Sequence, residues 1–324
     1  MIMTRRTLLG TLAVSLPAVS LSARAEDAWP SRLVRLISPY GPGGSNDISL
    51  RLFADELGRN LHQQFIVENK PGAGTRIAND LVAHAPGDGY TLLYVAAPYA
   101  TAEALFGKLT YDRKDLQTVA MAVIAPLFLI ISADAPFKTL PELIAYGKSK
   151  PDGLTFASPG AGSQPQLAGE LLFRDAGVKG LNIPFRGDAA SYTELLAGRV
   201  DATLTALPTA LPYIQSGNFT VLGVASSERS ALYPQAPTLR EQGFSNVIAA
   251  GWFGFMVPTK TPQSVVDRIQ AAILRVLDSA DIKQKLSAQG LEVHATTAAE
   301  FSRFIDAETH KWSALIRDAG LKGE

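Results

Sequence analysis

The stretch Leu33-Val34-Arg35-Leu36-Ile37-Ser38-Pro39-Tyr40-Gly41-Pro42-Gly43-Gly44-Ser45-Asn46-Asp47 decides the reading of this chain. An apolar strand expected over 33–38 runs into a glycine- and proline-rich loop, and a helix is expected over 48–61. A junction of this kind aims unpaired backbone N–H groups and the positive end of a helix at one small volume, which suits an anion. A second junction follows at Leu154-Thr155-Phe156-Ala157-Ser158-Pro159-Gly160-Ala161-Gly162-Ser163. Two such junctions in one chain point to two domains that close on one ligand.

Working outward, strand-like segments at 65–68, 91–95, 154–157, 181–184, 202–205 and 220–225 alternate with helical patterns at 75–85, 140–149, 164–176 and 191–197. This alternation predicts an α/β fold with parallel-rich sheets and helices on both faces. From Pro262 the pattern turns helical, over 262–280, 280–288 and 298–319, with Thr261 or Thr297 as caps. Two longer uncharged apolar stretches, 119–132 and 251–258, can each leave one sheet and enter another. They read as the crossover strands of a hinged protein, with 27–124 plus 253–324 as domain I and 125–252 as domain II.

Residues 1–25 read as an export signal. They hold the pair Arg5-Arg6, an uncharged run over 8–21 and the small-x-small site Ala23-Arg24-Ala25. The run is too short for a comfortable membrane span, and both a twin-arginine and an ordinary secretory signal fit it. The bland alternative is an amphipathic first helix of a cytosolic protein. Residues 1–25 carry three arginines and no acids, so their removal takes the balance from 30 basic against 30 acidic to 27 against 30, a net charge of −3. The expected product is periplasmic, cleaved near Ala25, and a monomer. Near-neutral charge without a basic block argues against a nucleic-acid partner. The absence of cysteine rules out disulfides and thiolate chemistry.

Gly43, Gly44 and Ser45 of the first junction present amides and a hydroxyl to a carboxylate. Their structural alternative is an ordinary turn in which glycine supplies the φ. Asp47 either caps and braces the start of the helix or faces the ligand, where it would oppose a bare anion. In the second junction Ser158, Gly160, Gly162, Ser163 and Gln164 are candidates, with Ser163 also placed to cap the following helix. Arg76 and Arg186 are the basic residues expected near the cleft, each able to meet a second carboxylate, although exposed arginines are commoner. Tyr40 and Trp252 are candidate aromatic walls or packing residues. Thr75 adjoins Arg76, and Ala97 and Thr205 lie at the ends of expected strands, where open sheets place ligands.

The chain resembles the Bug receptors, the extracytoplasmic solute-binding proteins of tripartite tricarboxylate transporters. The resemblance rests on Pro42-Gly43-Gly44-Ser45-Asn46-Asp47 and on further segments in the same order. These are Val67-Glu68-Asn69-Lys70-Pro71-Gly72-Ala73-Gly74, Pro86-Gly87-Asp88-Gly89-Tyr90-Thr91, Leu109-Thr110-Tyr111-Asp112, Gly160-Ala161-Gly162-Ser163, Pro184-Phe185-Arg186-Gly187, Leu195-Leu196-Ala197-Gly198-Arg199-Val200-Asp201 and Ala236-Pro237-Thr238-Leu239. It implies a two-lobed Venus-flytrap fold and capture of a small organic carboxylate, held through backbone groups, hydroxyls and water, for delivery to membrane permease subunits. A ligand-sensing subunit for a signalling partner is the alternative. There are departures. Tyr40-Gly41-Pro42 replaces a common Phe-Pro-Pro, Thr75-Arg76 replaces a glycine and a small polar residue, and Gln166 stands where a histidine is frequent.

Enzymatic readings find little. His62, His84, His294 and His310 are scattered without metal-ligand spacing, and no Gly-x-Ser-x-Gly elbow occurs. No catalytic residue, metal site or cofactor is expected.

Overall fold

The computed structural model describes residues 29–160, 162–185 and 187–323. The expected export signal, its cleavage site and Arg186 therefore lie outside the described residues. In chain order the elements are β1 (Val34–Ser38), α1 (Ser45–Leu61), β2 (Phe65–Asn69), α2 (Arg76–Ala83), β3 (Thr91–Ala96), α3 (Pro98–Phe106) and β4 (Leu116–Ser132). Then come α4 (Leu140–Ser149), β5 (Leu154–Ser158), α5 (Gln164–Asp175), β6 (Gly180–Pro184), α6 (Asp188–Leu196), β7 (Ala202–Ala206), α7 (Leu207–Gln215) and β8 (Phe219–Val224). The chain closes with β9 (Ala250–Pro258), α8 (Gln263–Asp278), α9 (Ala280–Ala288), β10 (Glu292–Val293) and α10 (Ala298–Asp318).

Periodicity sets most of these. Leu50, Phe53, Ala54 and Leu57 form the buried stripe of α1, and Val266, Ile269, Ile273, Val276 and Leu277 that of α8. Thr297 caps α10 in a reciprocal box with Glu300, whereas Thr261 caps nothing and α8 starts without a side-chain cap. Two helices, α3 and α7, stand where the alternating pattern gave none. In α3, Pro98 through Ala102 and Leu105 are all buried, so no amphipathic stripe marks it. In α7, Pro208 and Pro212 mask the helical pattern.

The strands run in the order β2-β1-β3-β9-β4-β7-β5-β6, with β8 and β10 also paired to β4. Strand β4 is the bridge. Its first part, Leu116 to Pro126, pairs antiparallel with β9, and its second part, Leu127 to Ser132, pairs with β7 and β8. The chain returns beside it, since Ala249 bonds to Ala225 while Ala250 pairs with Pro126. The parallel strands β1, β2 and β3 therefore lie on one side of this bridge, and the parallel strands β5, β6 and β7 on the other.

Separate cores fill the two sides. Phe53, Tyr94 and Phe255 centre one, with ring centroids 4.8–6.0 Å apart. Phe156 and Phe173, 5.3 Å apart, centre the other. Helix α10 packs on both sides of the bridge through two clusters. Phe301 and Ile305 join the cluster around Trp252 and Tyr99, while Trp312, Leu315 and Ile316 join that around Phe156 and Phe173.

Candidate ligand-binding site

Strands β1, β3, β5, β6 and β7 end around one cleft, and each is followed by a helix, respectively α1, α3, α5, α6 and α7. A cavity of about 420 Å³ lies at these ends. The first residue of α1 (Ser45), α3 (Pro98), α5 (Gln164) and α6 (Asp188) lines it, and so does Ala206, the residue before α7. Helix N-termini from both sides of the bridge thus share one space. The first-turn amides of a helix have no carbonyl one turn back, and the caps Gly44, Ala97, Gly187 and Ala206 supply no side-chain acceptor. Strand-end placement follows the rule for open α/β sheets.

Several residues singled out in the sequence line this cavity: Tyr40, Gly44, Ser45, Ala97, Ser163, Gln164 and Thr205. Gln164 is only 3% exposed, and neither its amide nitrogen nor its oxygen has a partner within the described protein. Trp252, on the returning strand β9, is 1% exposed and its Nε1 is equally unpartnered. Phe301 and Phe304 hold its ring edge-on, at 5.7 and 5.5 Å. Buried polar atoms are rarely left unsatisfied, and these lie just behind the cavity wall, shielded from its open space.

Other candidates stand behind the wall. Gly43 adopts φ 88°, a conformation natural to glycine, and its N–H donates to Asp47 Oδ2 at 3.0 Å. Asp47 does not line the cavity. Its carboxylate accepts Arg51 Nε and Nη2 at 2.9 and 3.0 Å and Asn69 Nδ2 at 2.8 Å, and Asn69 also donates to Tyr40 O. Burial alone would raise the Asp47 pKa, but the bonds from Arg51, Gly43 and Asn69 outweigh it and hold the carboxyl below its ordinary value. Asp47 is a brace for the first loop.

The second loop is braced similarly. Gly160 O accepts the Ser163 hydroxyl at 2.7 Å, and Ser163 Oγ accepts the Gln166 N–H at 3.4 Å, capping α5. Gln166 Oε1 accepts the Gly162 N–H at 2.7 Å. Gly162 has φ 75°, and a Cβ there would lie 2.3 Å from Leu105 Cδ1, so nothing larger fits without rearrangement. Ser158 is fully buried at the end of β5, its hydroxyl unpartnered, and does not line the cavity.

Thr75 and Arg76 belong elsewhere. Thr75 is buried beside Asn79, and Arg76 bonds to Ala73 O and lies 3.7 Å above the Phe106 ring, bordering a separate surface hollow. The expected pairing of Arg76 with a ligand carboxylate is therefore not what this geometry provides.

Sequence reading missed Asn46, Pro98 and Asp188 as lining residues. The start of α3 was hidden by uniform burial, though a proline after a strand end is a helix-start signal. Helix α6 was expected from residue 191 but begins at Asp188, and a glycine followed by an acid was the available sign. Thr209 Oγ1 donates to Asp188 Oδ2 at 3.3 Å, while Tyr192 OH bridges Thr205 and Thr209 at 2.7 Å each. Burial pushes the Asp188 carboxyl above its ordinary value, partly offset by the Thr209 and Thr205 hydroxyls. The Tyr40 phenol is likewise pushed up, by desolvation and then by the Asp188 charge.

Residues 49–321 match the model of the tripartite tricarboxylate transporter family receptor. The chain belongs to this receptor family. Among relatives, it is 33% identical to Protein BugT of Bordetella pertussis, over 97% of this chain and 98% of that one. Among solved structures, it is similar to MatC of Rhodopseudomonas palustris with bound malate, at 31% identity and a TM-score of 0.79, over 89% of this chain and all of that one. An R. palustris protein solved with adipate is 28% identical with a TM-score of 0.84, over 91% of this chain and all of that one. The fold is that of the family's periplasmic binding proteins. No helix of the described residues is long and apolar enough to cross a membrane.

One consequence of this geometry concerns stability. Asp47→Asn is expected to destabilise the empty protein by about 1–3 kcal/mol, through loss of charge-assisted bonds around a buried group. Because the folded pKa is depressed, this stabilisation is present above the unfolded pKa and lost as pH falls through the folded one. Melting curves from pH 7 down to pH 3 should therefore converge for the two proteins. Parallel curves would show that the Asp47 charge is not what braces the loop.

Proposed function

We propose that this protein is an exported receptor that captures one small organic carboxylate in the cleft and presents it to the permease subunits of a membrane transporter, without making or breaking a bond. The observation that carries the reading is the convergence of helix N-termini from both sides of the bridge on one cavity, with the unpartnered Gln164 and Trp252 groups beside them. Uncharged donors of this kind hold a carboxylate without the desolvation cost of a buried cation. Residues 27–124 with 253–324 form one lobe in this reading and 125–252 the other, and the β4 and β9 crossings act as the hinge. The malate and adipate of the two solved relatives support the ligand class. The same reading has the chain exported on its first 25 residues, cleaved near Ala25, and working as a monomer.

A thermal-shift screen against mono-, di- and tricarboxylates, followed by calorimetry, tests it. At least one carboxylate should raise the melting temperature, since a ligand that binds only the native state stabilises it. Gln164→Ala should weaken that ligand by about tenfold, the worth of one hydrogen bond of about 1.4 kcal/mol. Stabilisation by sugars or phosphate esters and by no carboxylate would sink the proposal.

A further inference from the structure

Among the described residues that line the cavity, Asp188 carries the single charged side chain. It stands at the first position of α6, facing the same space as the N-termini of α1 and α5. A carboxylate accepts hydrogen bonds and donates none, and it opposes a second carboxylate nearby. Among the described residues no ion pair reaches it, and its polar neighbours are the neutral hydroxyls of Thr209, at 3.3 Å, and Thr205. The cavity therefore has donor-rich ends that favour an anionic group and one carboxyl acceptor, whose ionised form a cationic partner would favour. A bare dicarboxylate satisfies the former and is repelled by the latter. A carboxylate that also bears an ammonium group satisfies both.

We propose that Asp188 makes this a receptor for zwitterionic carboxylates of the amino-acid kind, the cationic nitrogen pairing with Asp188 while the carboxylate meets the amides at the starts of α1 and α5. This rests on the carboxylate-capture reading and narrows it. Gln164 and Trp252 line the same cavity and give the rest of the molecule an uncharged wall. The placement of the acid explains why Asp47, the carboxylate more conspicuous in sequence, has no such part: its lone pairs are spent on Arg51, Asn69 and Gly43.

Matched pairs that differ only in an amino or a hydroxyl group test this: alanine and lactate, aspartate and malate, glutamate and 2-hydroxyglutarate, phenylalanine and phenyllactate. Calorimetry on the wild-type protein should give at least tenfold tighter binding of the amino member in every pair that binds at all. Asp188→Asn should abolish that preference, and Asp188→Glu should retain part of it. An Arg186→Gln protein should keep the preference, because the nitrogen is read by Asp188. Equal or tighter binding of the hydroxy members by wild type overturns the proposal. So does a preference that survives Asp188→Asn with the melting temperature of the empty protein unchanged. If no member of any pair binds and simple dicarboxylates do, Asp188 does not select for nitrogen and carboxylate capture stands. If no carboxylate of either set binds, the capture reading fails and takes this one with it.

Discussion

Ser163→Trp is expected to abolish ligand binding while leaving a folded protein. Ser163 lines the cavity at the start of α5, next to Gln164 and Pro165, and a cavity of about 420 Å³ shared with a ligand has no room for an added indole. The substitution also removes the cap that Ser163 provides to Gln166 N–H, which costs about 1 kcal/mol. Calorimetry with a carboxylate that stabilises the wild type should therefore show a loss of at least a hundredfold in affinity, with the melting temperature of the empty protein lowered only slightly. Ser163→Thr keeps the capping hydroxyl and separates the two effects. Unchanged affinity in the Trp protein would mean that the second junction is not part of the site.

Trp312→Ala should give the largest loss of stability. Trp312 is fully buried where α10 meets the second core, and its Nε1 donates to Glu308 at 2.7 Å within the same helix. Truncating a large buried aromatic costs about 3–5 kcal/mol, equivalent to a melting temperature lower by roughly 6–12 °C. The same helix packs Phe301 and Ile305 into the cluster around Trp252. Loosening its distal half should leave that cluster intact, so the loss should be uneven. Amides of α10 beyond Glu308 and of α5 should exchange faster with solvent, while those of β9 stay protected. A uniform rise in exchange, or a melting temperature within a degree of wild type, would show that α10 does not tie the Trp252 cluster to the Phe156 core.

Much of the fold was legible because periodicity is local. The alternation of apolar strands with striped helices fixed the α/β class, and the uncharged stretches 119–132 and 251–258 marked the crossing strands, since a strand buried on both faces carries no polar alternation. Glycine and serine at strand ends marked the two junctions, whose chemistry resides in the backbone and needs no particular side chain. Helices α3 and α7 were not legible, one because its first five residues are all buried and the other because prolines interrupt its pattern. The site divides on the same line. Tyr40, Gly44, Ser45, Ser163 and Gln164 follow their junctions into the cavity. Arg76 does not, because the Phe106 ring and the Ala73 carbonyl hold it at another surface.

The sequence by itself determined that this chain alternates strand and helix, that it crosses twice between two halves, and that two of its loops offer free amides, because each of these follows from neighbouring residues. Which acid lines the cavity was decided only by the tertiary structure. Asp47 and Asp188 both lie in the first turn of a helix and look alike in sequence. Arg51 and Asn69, one turn along the helix and one strand away, turn Asp47 inward as a brace. The turn after β6 leaves Asp188 at the cavity wall, with the Thr209 and Thr205 hydroxyls as its polar neighbours. Charge in a cleft depends on which partners reach it across the fold, and that information is not carried by any stretch of neighbouring residues.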